Sequence, residues 1–380
     1  MNILIISRHE PIPLICGVER MSLLLLRKFR KDGHNVFSLA LAKPGLEQPE
    51  DITTDYFPSE DAYAQENIDF LRHYIRENHI DVLLNQYGTS SPESRLFLSC
   101  KDVVRITELH IDPEMQLRYF RRYLKQRGGI RRFLTPFAPL LKLRYRRSLE
   151  RLYAFQDENN DAIVLLSDKY RTFSRLDTPK VYAMPNAVDV LADASLRPED
   201  KEKNILFVGR LDRVQKAPEE LIMAFAIVEK KHPDWNLILV GDGPDKEFMM
   251  DFARKAGVKN IRFTGHADPF PYYEKSAINC LTSNFEGFPM TIIEGMAFKA
   301  VPVVYDSFPV ASEIIDDNQN GCLVKHHDRQ EMARKLCRLI ENPQERCRMA
   351  EAAYEKARRQ YHIDAVAQRW YSLFNKLLSK

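Results

Sequence analysis

The sequence has 380 residues, 44% of them hydrophobic, with 14 Gly and 21 Pro. This excludes a disordered chain, a collagen-like repeat and a small disulfide scaffold, and leaves room for two domains with separate cores. The 56 Lys and Arg nearly balance 53 Asp and Glu, giving a net charge of +3. That balance hides a concentration: Arg118 to Arg151 holds twelve basic residues and one acid, Glu150, a local +11 that leaves −8 for the rest. A localised basic segment points to a localised anionic partner.

Met1–Arg8 reads as a first strand and not as a signal peptide, since it has neither a basic leader nor a cleavage site. Aliphatic runs such as Leu23–Leu26 are far too short to span a bilayer. Cys16, Cys100, Cys280, Cys322, Cys337 and Cys347 form no Cys-x-x-Cys pair, so a reduced cytosolic protein without structural zinc is expected.

In chain order, apolar runs predict strands at 2–7, 35–42, 81–85, 103–108 and 162–167, with a helix over Val18–Lys31 stopped by Gly33. A polar, aperiodic stretch over 186–204 reads as a linker. A second series follows at 204–209, 235–241, 260–264, 277–281, 301–305 and 321–324, and the chain closes with helices at 329–341, 344–360 and 365–378. Several strands are unbroken apolar runs, as in parallel sheets covered on both faces. The fold class is therefore α/β: two Rossmann-like, doubly wound domains facing a central cleft. The expected boundaries are 1–186 and 187–364, with a terminal helix at 365–380 packing back on the first domain.

Parallel sheets bind ligands beyond the carboxyl ends of their strands, so the strand-to-helix turns hold the candidates. Gly17 precedes the first helix and allows a close approach of backbone to an anion, although a plain tight turn is the commoner use of a single glycine. The turn after Gly209 carries Arg210 and Lys216 before Pro218, which suits a helix start. Two cations near a helix amino terminus fit a phosphate, and they fit a solvated basic loop as well. In the turn Ser283–Ala297, Pro289 is expected to open a helix and leave the amides of Met290 and Thr291 free for an anion. Glu286 and Glu294 bracket that anion site and suit sugar hydroxyls; a helix cap and a surface acid are the plainer alternatives.

Taken together, MPNAVD, FVGRLDRVQKAPEELIMAF, LVGDGPDKEFM, FTGHADP, SNFEGFPMTIIEGMAFKAVPVV and NGCLV, running from Met184 to Val324, resemble the retaining family-4 glycosyltransferases (glycosyl transferases group 1), which have a two-Rossmann-domain B-type architecture. The Glu286-x7-Glu294 pattern and the Arg210-x5-Lys216 loop carry the resemblance most specifically; CGVER at Cys16–Arg20 and His110 of RITELHID extend it more loosely. Cys16 replaces a glycine common in the family, Ala300 stands where glycine is common, and Gly295 where alanine is common.

The resemblance implies a hexosyltransferase that moves sugar from a nucleotide-sugar, UDP being the commonest carrier, with retention and with neither metal nor cofactor. It implies catalytic roles for Arg210, Lys216, Glu286 and His110, and donor binding by Gly17, Gly209, Gly287, Phe288, Pro289, Met290, Thr291 and Glu294. Arg210 and Lys216 would hold the diphosphate, Glu294 the ribose, and Glu286 and His110 the sugar. No Asp-x-Asp between apolar runs offers a metal site. The rivals are a sugar-nucleotide epimerase of the same architecture and a silent sugar-nucleotide-binding scaffold.

The basic segment carries Arg118, Arg121, Arg122 and Lys125 on one helical side, against Leu117, Phe120, Tyr123 and Leu124 on the other. Gly128-Gly129 break that helix, and FLTPFAPLL (133–141) reads as an apolar hinge. The pattern suits an anionic membrane surface and a lipid-linked or other glycan acceptor. A core-facing helix with a basic outer face is the plainer reading. No nucleic-acid module accompanies the segment, so nucleic acid is not the expected partner. The expected location is the inner face of the cell membrane, held peripherally from the cytoplasm, in the synthesis of a cell-surface polysaccharide.

Overall fold

The structure, a computed structural model, describes residues 1–12, 17–43, 50–62, 64–87, 96–97, 100–118 and 138–379. The chain divides into two compact units, Met1–Asn186 with Ile363–Lys380, and Ala187–His362.

Among the described residues the first unit holds seven strands: β1 (Asn2–His9), β2 (Asn35–Ala42), β3 (Asp55–Tyr56), β4 (Val82–Asn85), β5 (Val104–Leu109), β6 (Ala162–Leu165) and β7 (Val181–Ala183). They pair in parallel in the order β3-β2-β1-β4-β5-β6-β7. The helix Gly17–Lys31 buries Met21 and Leu23 to Leu26, and Lys28, Arg30 and Lys31 sit in its last turn, where the helix dipole favours cations. Gly33, at φ +88°, takes the left-handed turn that stops it. The terminal helix Ile363–Leu378 packs here: Phe374 meets Phe29 edge-on at 5.6 Å, and Asp364 lies 2.5 Å from Lys28.

The second unit holds β8 (Glu202–Val208), β9 (Asn236–Val240), β10 (Ile261–Gly265), β11 (Ser276–Leu281), β12 (Val301–Asp306) and β13 (Cys322–Lys325). All are parallel, in the order β10-β9-β8-β11-β12-β13. Ile205, Phe207, Leu237, Leu239, Ile278 and Val303 are fully buried, which explains their unbroken apolar sequence. In each sheet the winding reverses beside the unit's first strand, between β1 and β4 and between β8 and β11. A crevice at the carboxyl ends of such a pair is where doubly wound sheets take ligands.

Some elements differ from expectation. The strands β3 and β7 were not predicted. Residues 138–141 of FLTPFAPLL are not a hinge: they are the first turn of the helix Ala138–Asn159. The helix expected over 344–360 is α-helical over Pro343–Lys356 and then widens to a π-turn at Ala357–Tyr361. The strand β8 begins within the expected linker, at Glu202.

Candidate active site

The loop after β8 is shaped by Asp212, whose carboxylate accepts from the amides of Val214 (2.6 Å) and Gln215 (3.1 Å) and lies 3.0 Å from the Arg210 guanidinium. It ends at Ala217 in the left-handed region (φ +45°), before the helix Pro218–Lys231. The loop after β9 presses close beneath it. A Cβ on Gly241 would overlap the Gly209 carbonyl, and one on Gly243 would overlap the backbone of Leu211.

The loop after β11 is laced to the first. The Asn284 amide donates to the Gln215 carbonyl (2.6 Å), its side chain donates to the Val214 carbonyl (2.9 Å), and Thr282 Oγ1 donates to the Ala217 carbonyl (3.0 Å). These bonds bring Lys216 Nζ to 2.7 Å from Glu286 Oε1, with the two side chains 16% and 7% exposed. Ser283 Oγ donates to the same oxygen at 2.5 Å, and Gln215 Nε2 reaches Glu286 Oε2 at 3.5 Å. Arg210, 56% exposed, donates to Gln215 Oε1 at 3.0 Å. Three of the expected catalytic side chains, from segments some seventy positions apart, therefore form one cluster at the switch point of the second sheet. A solvated basic loop does not describe Lys216, which is mostly covered and paired. Arg213 takes a different part, stacking 4.0 Å over the Phe248 ring.

Gly287, Phe288 and Pro289 lead into the helix Met290–Ala297. The Met290 amide, expected to be free, donates to the Phe288 carbonyl at 3.0 Å, because the chain folds into a tight turn before the helix begins. The Thr291 hydroxyl and Asn279 Oδ1 are buried without hydrogen-bond partners among the described residues, so polar capacity remains at this helix start. Glu294 is not a surface acid: it is 1% exposed and accepts from the buried Tyr273 hydroxyl at 2.8 Å. Gly295 is demanded by Asn279, whose side chain donates to the Thr291 carbonyl and would be struck by a Cβ.

In the first unit, His110 follows the carboxyl end of β5 with its side chain 9% exposed. Its Nε2 has no hydrogen-bond partner among the described residues and lies 3.8 Å from Glu108 Oε2. Behind it runs a buried chain: Ser22 Oγ donates to Gln86 Oε1 (2.5 Å), and Gln86 Nε2 donates to Glu108 Oε2 (3.0 Å). Burial pushes the Glu108 carboxyl up to about 8 and holds the His110 imidazole down at about 4. Both groups are thus neutral near pH 7, a histidine suited to hydrogen bonding. Gly17 begins the first helix, and a Cβ there would meet nothing within 4 Å.

Residues 191–356 match the family glycosyl transferases group 1. This stretch, just under half of the chain, is similar to the group 1 glycosyltransferases. An uncharacterized glycosyltransferase of Haemophilus influenzae is 29% identical over 217 residues, covering 55% of this chain and 60% of that protein. The Campylobacter jejuni protein named GalNAc-alpha-(1->4)-GalNAc-alpha-(1->3)-diNAcBac-PP-undecaprenol alpha-1,4-N-acetyl-D-galactosaminyltransferase is 27% identical over 176 residues, 46% of this chain and 48% of that one. The chain thus spans about half to three-fifths of the length of these curated relatives. Over whole chains, the crystal structure of HepE of Anabaena in complex with UDP superposes with a TM-score of 0.75 at 18% identity, covering 99% of this chain and 100% of that chain. The fold is the two-Rossmann-domain glycosyltransferase B type.

The second unit contains residues that the sequence pattern does not single out: Asp212, Gln215, Ser283, Asn284, Asn279 and Tyr273 all shape the cluster. The motif GDGP at 241–244 was a usable signal, since two glycines flanking an acid after a strand mark a close backbone approach. Of the basic segment, Arg121, Arg122, Lys125 and the aromatic residues Phe120, Phe133 and Phe137 lie outside the described residues. Arg118 is paired, 3.5 Å from Asp112 and 3.6 Å from Glu114, so two acids just upstream offset part of the counted charge. Beyond it, the helix Ala138–Asn159 exposes Leu140 (60%) and Leu143 (47%) beside exposed Lys142, Arg144 and Arg147. Among the described residues no helix is long and apolar enough to cross a membrane.

Proposed function

We propose that this chain is a retaining, metal-independent glycosyltransferase that moves a sugar from a UDP-sugar to a glycan or lipid-linked saccharide in cell-surface polysaccharide synthesis. The observation that carries this reading is the cluster of Arg210, Lys216 and Glu286 at the switch point of the second sheet, closed by the 2.7 Å Lys216–Glu286 contact. An ammonium has three donors, so Lys216 can keep Glu286 oriented while giving another hydrogen bond to a diphosphate oxygen. Arg210, half in solvent, turns toward the same anion. Breaking the sugar–phosphate bond builds negative charge on the nucleoside diphosphate, and these two cations, with the amides of Phe288 and Thr291, stabilise it in place. Glu286, held by Lys216 and Ser283, accepts from a hydroxyl of the transferred sugar. Glu294, fixed by Tyr273, takes the ribose. Within the first unit, His110, neutral and buried, suits a hydrogen bond to a sugar hydroxyl, and Gly17 opens the first helix where backbone can approach an anion. The acceptor hydroxyl attacks from the face the diphosphate leaves, so the anomeric configuration is kept without a covalent enzyme intermediate.

The relatives support this class: one is named for transfer to an undecaprenol-linked saccharide, and a structure of the same fold holds UDP. The helix Ala138–Asn159 supports a peripheral membrane seat on the cytoplasmic side. Its exposed Leu140 and Leu143, flanked by exposed cations, suit an anionic headgroup layer with a shallow apolar zone. A donor screen reading nucleoside diphosphate release, with and without membrane extract, tests the reading. Acceptor-dependent release from one nucleotide-sugar is expected. Donor turnover with no acceptor requirement would favour the epimerase, and no turnover would favour the scaffold.

A further inference from the structure

The amino edge of the second sheet, away from the phosphate loops, holds a second cluster. The helix Pro218–Lys231 starts at the carboxyl edge of β8 and runs fourteen residues back, about 21 Å, to His232. His232 closes that helix, its amide donating to the Val228 carbonyl at 2.9 Å. The helix Arg329–Glu341 packs beside it in the same core and carries Cys337 and Glu341 one turn apart on one face. Their ligand atoms converge: His232 Nε2 lies 3.0 Å from Glu341 Oε1, and with the Cys337 sulfur all three fall within 4.8 Å of one another.

We propose that His232, Cys337 and Glu341 form a zinc-class divalent metal site that staples the ends of these two helices, with a water as fourth ligand. One imidazole nitrogen, one thiolate and one carboxylate oxygen make a borderline-soft donor set, which suits a tetrahedral Zn2+ ion. Ligands at 2.0–2.3 Å from a common ion stand about 3.3–3.8 Å apart, so shifts of about 1 Å close the site. The burial of the three is graded: Cys337 is 7% exposed, the His232 side chain 18% and the Glu341 side chain 54%, an apolar floor with an entry from solvent. The absence of any Cys-x-x-Cys pair argued against structural zinc from sequence. His232 lies more than a hundred positions from Cys337 and Glu341, so no local spacing rule finds the set.

The test uses the whole chain without a polyhistidine tag, titrated with Co2+ as spectroscopic probe and Zn2+ as competitor. One equivalent of Co2+ should give a thiolate-to-cobalt charge-transfer band and tetrahedral visible bands, both quenched by one equivalent of Zn2+. Cys337→Ser should abolish the charge-transfer band. The changes His232→Gln, at a partly buried position, and Glu341→Gln, at an exposed one, should weaken binding at least about tenfold each. Equimolar Zn2+ should raise the melting temperature of the wild type and not of His232→Gln. The proposal is overturned by absence of the band, by its survival in Cys337→Ser, or by Zn2+ that binds equally to the wild type, His232→Gln and Glu341→Gln.

Discussion

Replacing Lys216 by Met removes the ammonium while keeping most of the stem, and it tests two consequences of one contact. The change strips the nearest cation from Glu286, leaving Ser283 at 2.5 Å and Gln215 at 3.5 Å as its remaining neutral donors. A fully buried pair broken from one side loses about 3–5 kcal/mol. Lys216 is 16% exposed and Glu286 keeps a short hydrogen bond, so about 2 kcal/mol is the expected loss of stability. In a unit of this size that lowers the melting temperature by about 4–8 °C. Transfer should fall further, by about 30- to 1000-fold, because the lost charge also faces the leaving diphosphate. The double change Lys216→Met with Glu286→Gln separates the two effects. Neutralising Glu286 removes the uncompensated charge, so stability returns toward the wild type while turnover stays low. Thermal melts and steady-state nucleoside diphosphate release measure the two quantities on the same samples. Near-normal turnover in Lys216→Met, or turnover that recovers along with stability in the double variant, would refute the catalytic role.

The two acids of the second unit should divide their effects: Glu294→Ala weakens calorimetric binding of UDP, whereas Glu286→Ala leaves it nearly unchanged and lowers transfer, and equal binding losses would sink that division. Glu108→Gln should stabilise the chain increasingly as pH rises from about 4.5 to about 8. The buried acid keeps its proton in the folded state while the unfolded chain loses its own, so wild-type stability declines across that window; parallel urea melts at pH 5 and pH 8 check it. Gly241→Ala should cost about 1–3 kcal/mol and lower transfer, since φ is +138° and the new Cβ meets the Gly209 carbonyl; wild-type activity in that variant would contradict the close loop packing. Changing Lys142, Arg144 and Arg147 to Gln should abolish sedimentation with anionic vesicles at low salt while leaving UDP binding intact, and equal sedimentation with neutral vesicles would remove the membrane seat.

Most of the sheet core was legible because both faces of each sheet are covered, so strands such as β8 and β11 appear as continuous apolar runs. The strands β3 and β7 have two and three residues, too few to show any period, and they sit at the edges of the first sheet. The loop positions of Arg210, Lys216 and Glu286 followed from where their strands end. Their contact did not, because it is made by Asn284 and Thr282 bonding to backbone carbonyls of a loop distant in sequence. Glu294 illustrates the opposite problem: an acid on a short helix reads as surface, but Tyr273 gives it a partner in the core. The charge of the basic segment was counted inside its own boundaries, and the count missed Asp112 and Glu114, which stand just outside and pair with Arg118. Glu108 gave no signal within VRITEL, because nothing in a strand pattern tells an inward carboxyl held by Gln86 from an outward one.

The central claim is that the switch point of the second sheet takes the nucleoside diphosphate of the donor. A crystal structure of the full chain grown with UDP in metal-free buffer tests it most directly. Its diphosphate oxygens should lie about 2.7–2.9 Å from Lys216 Nζ and from the Arg210 guanidinium, with the ribose at Glu294 and no ion bridging the phosphates. UDP seated at another strand edge, or at this one with its phosphates out of reach of both cations, would contradict it.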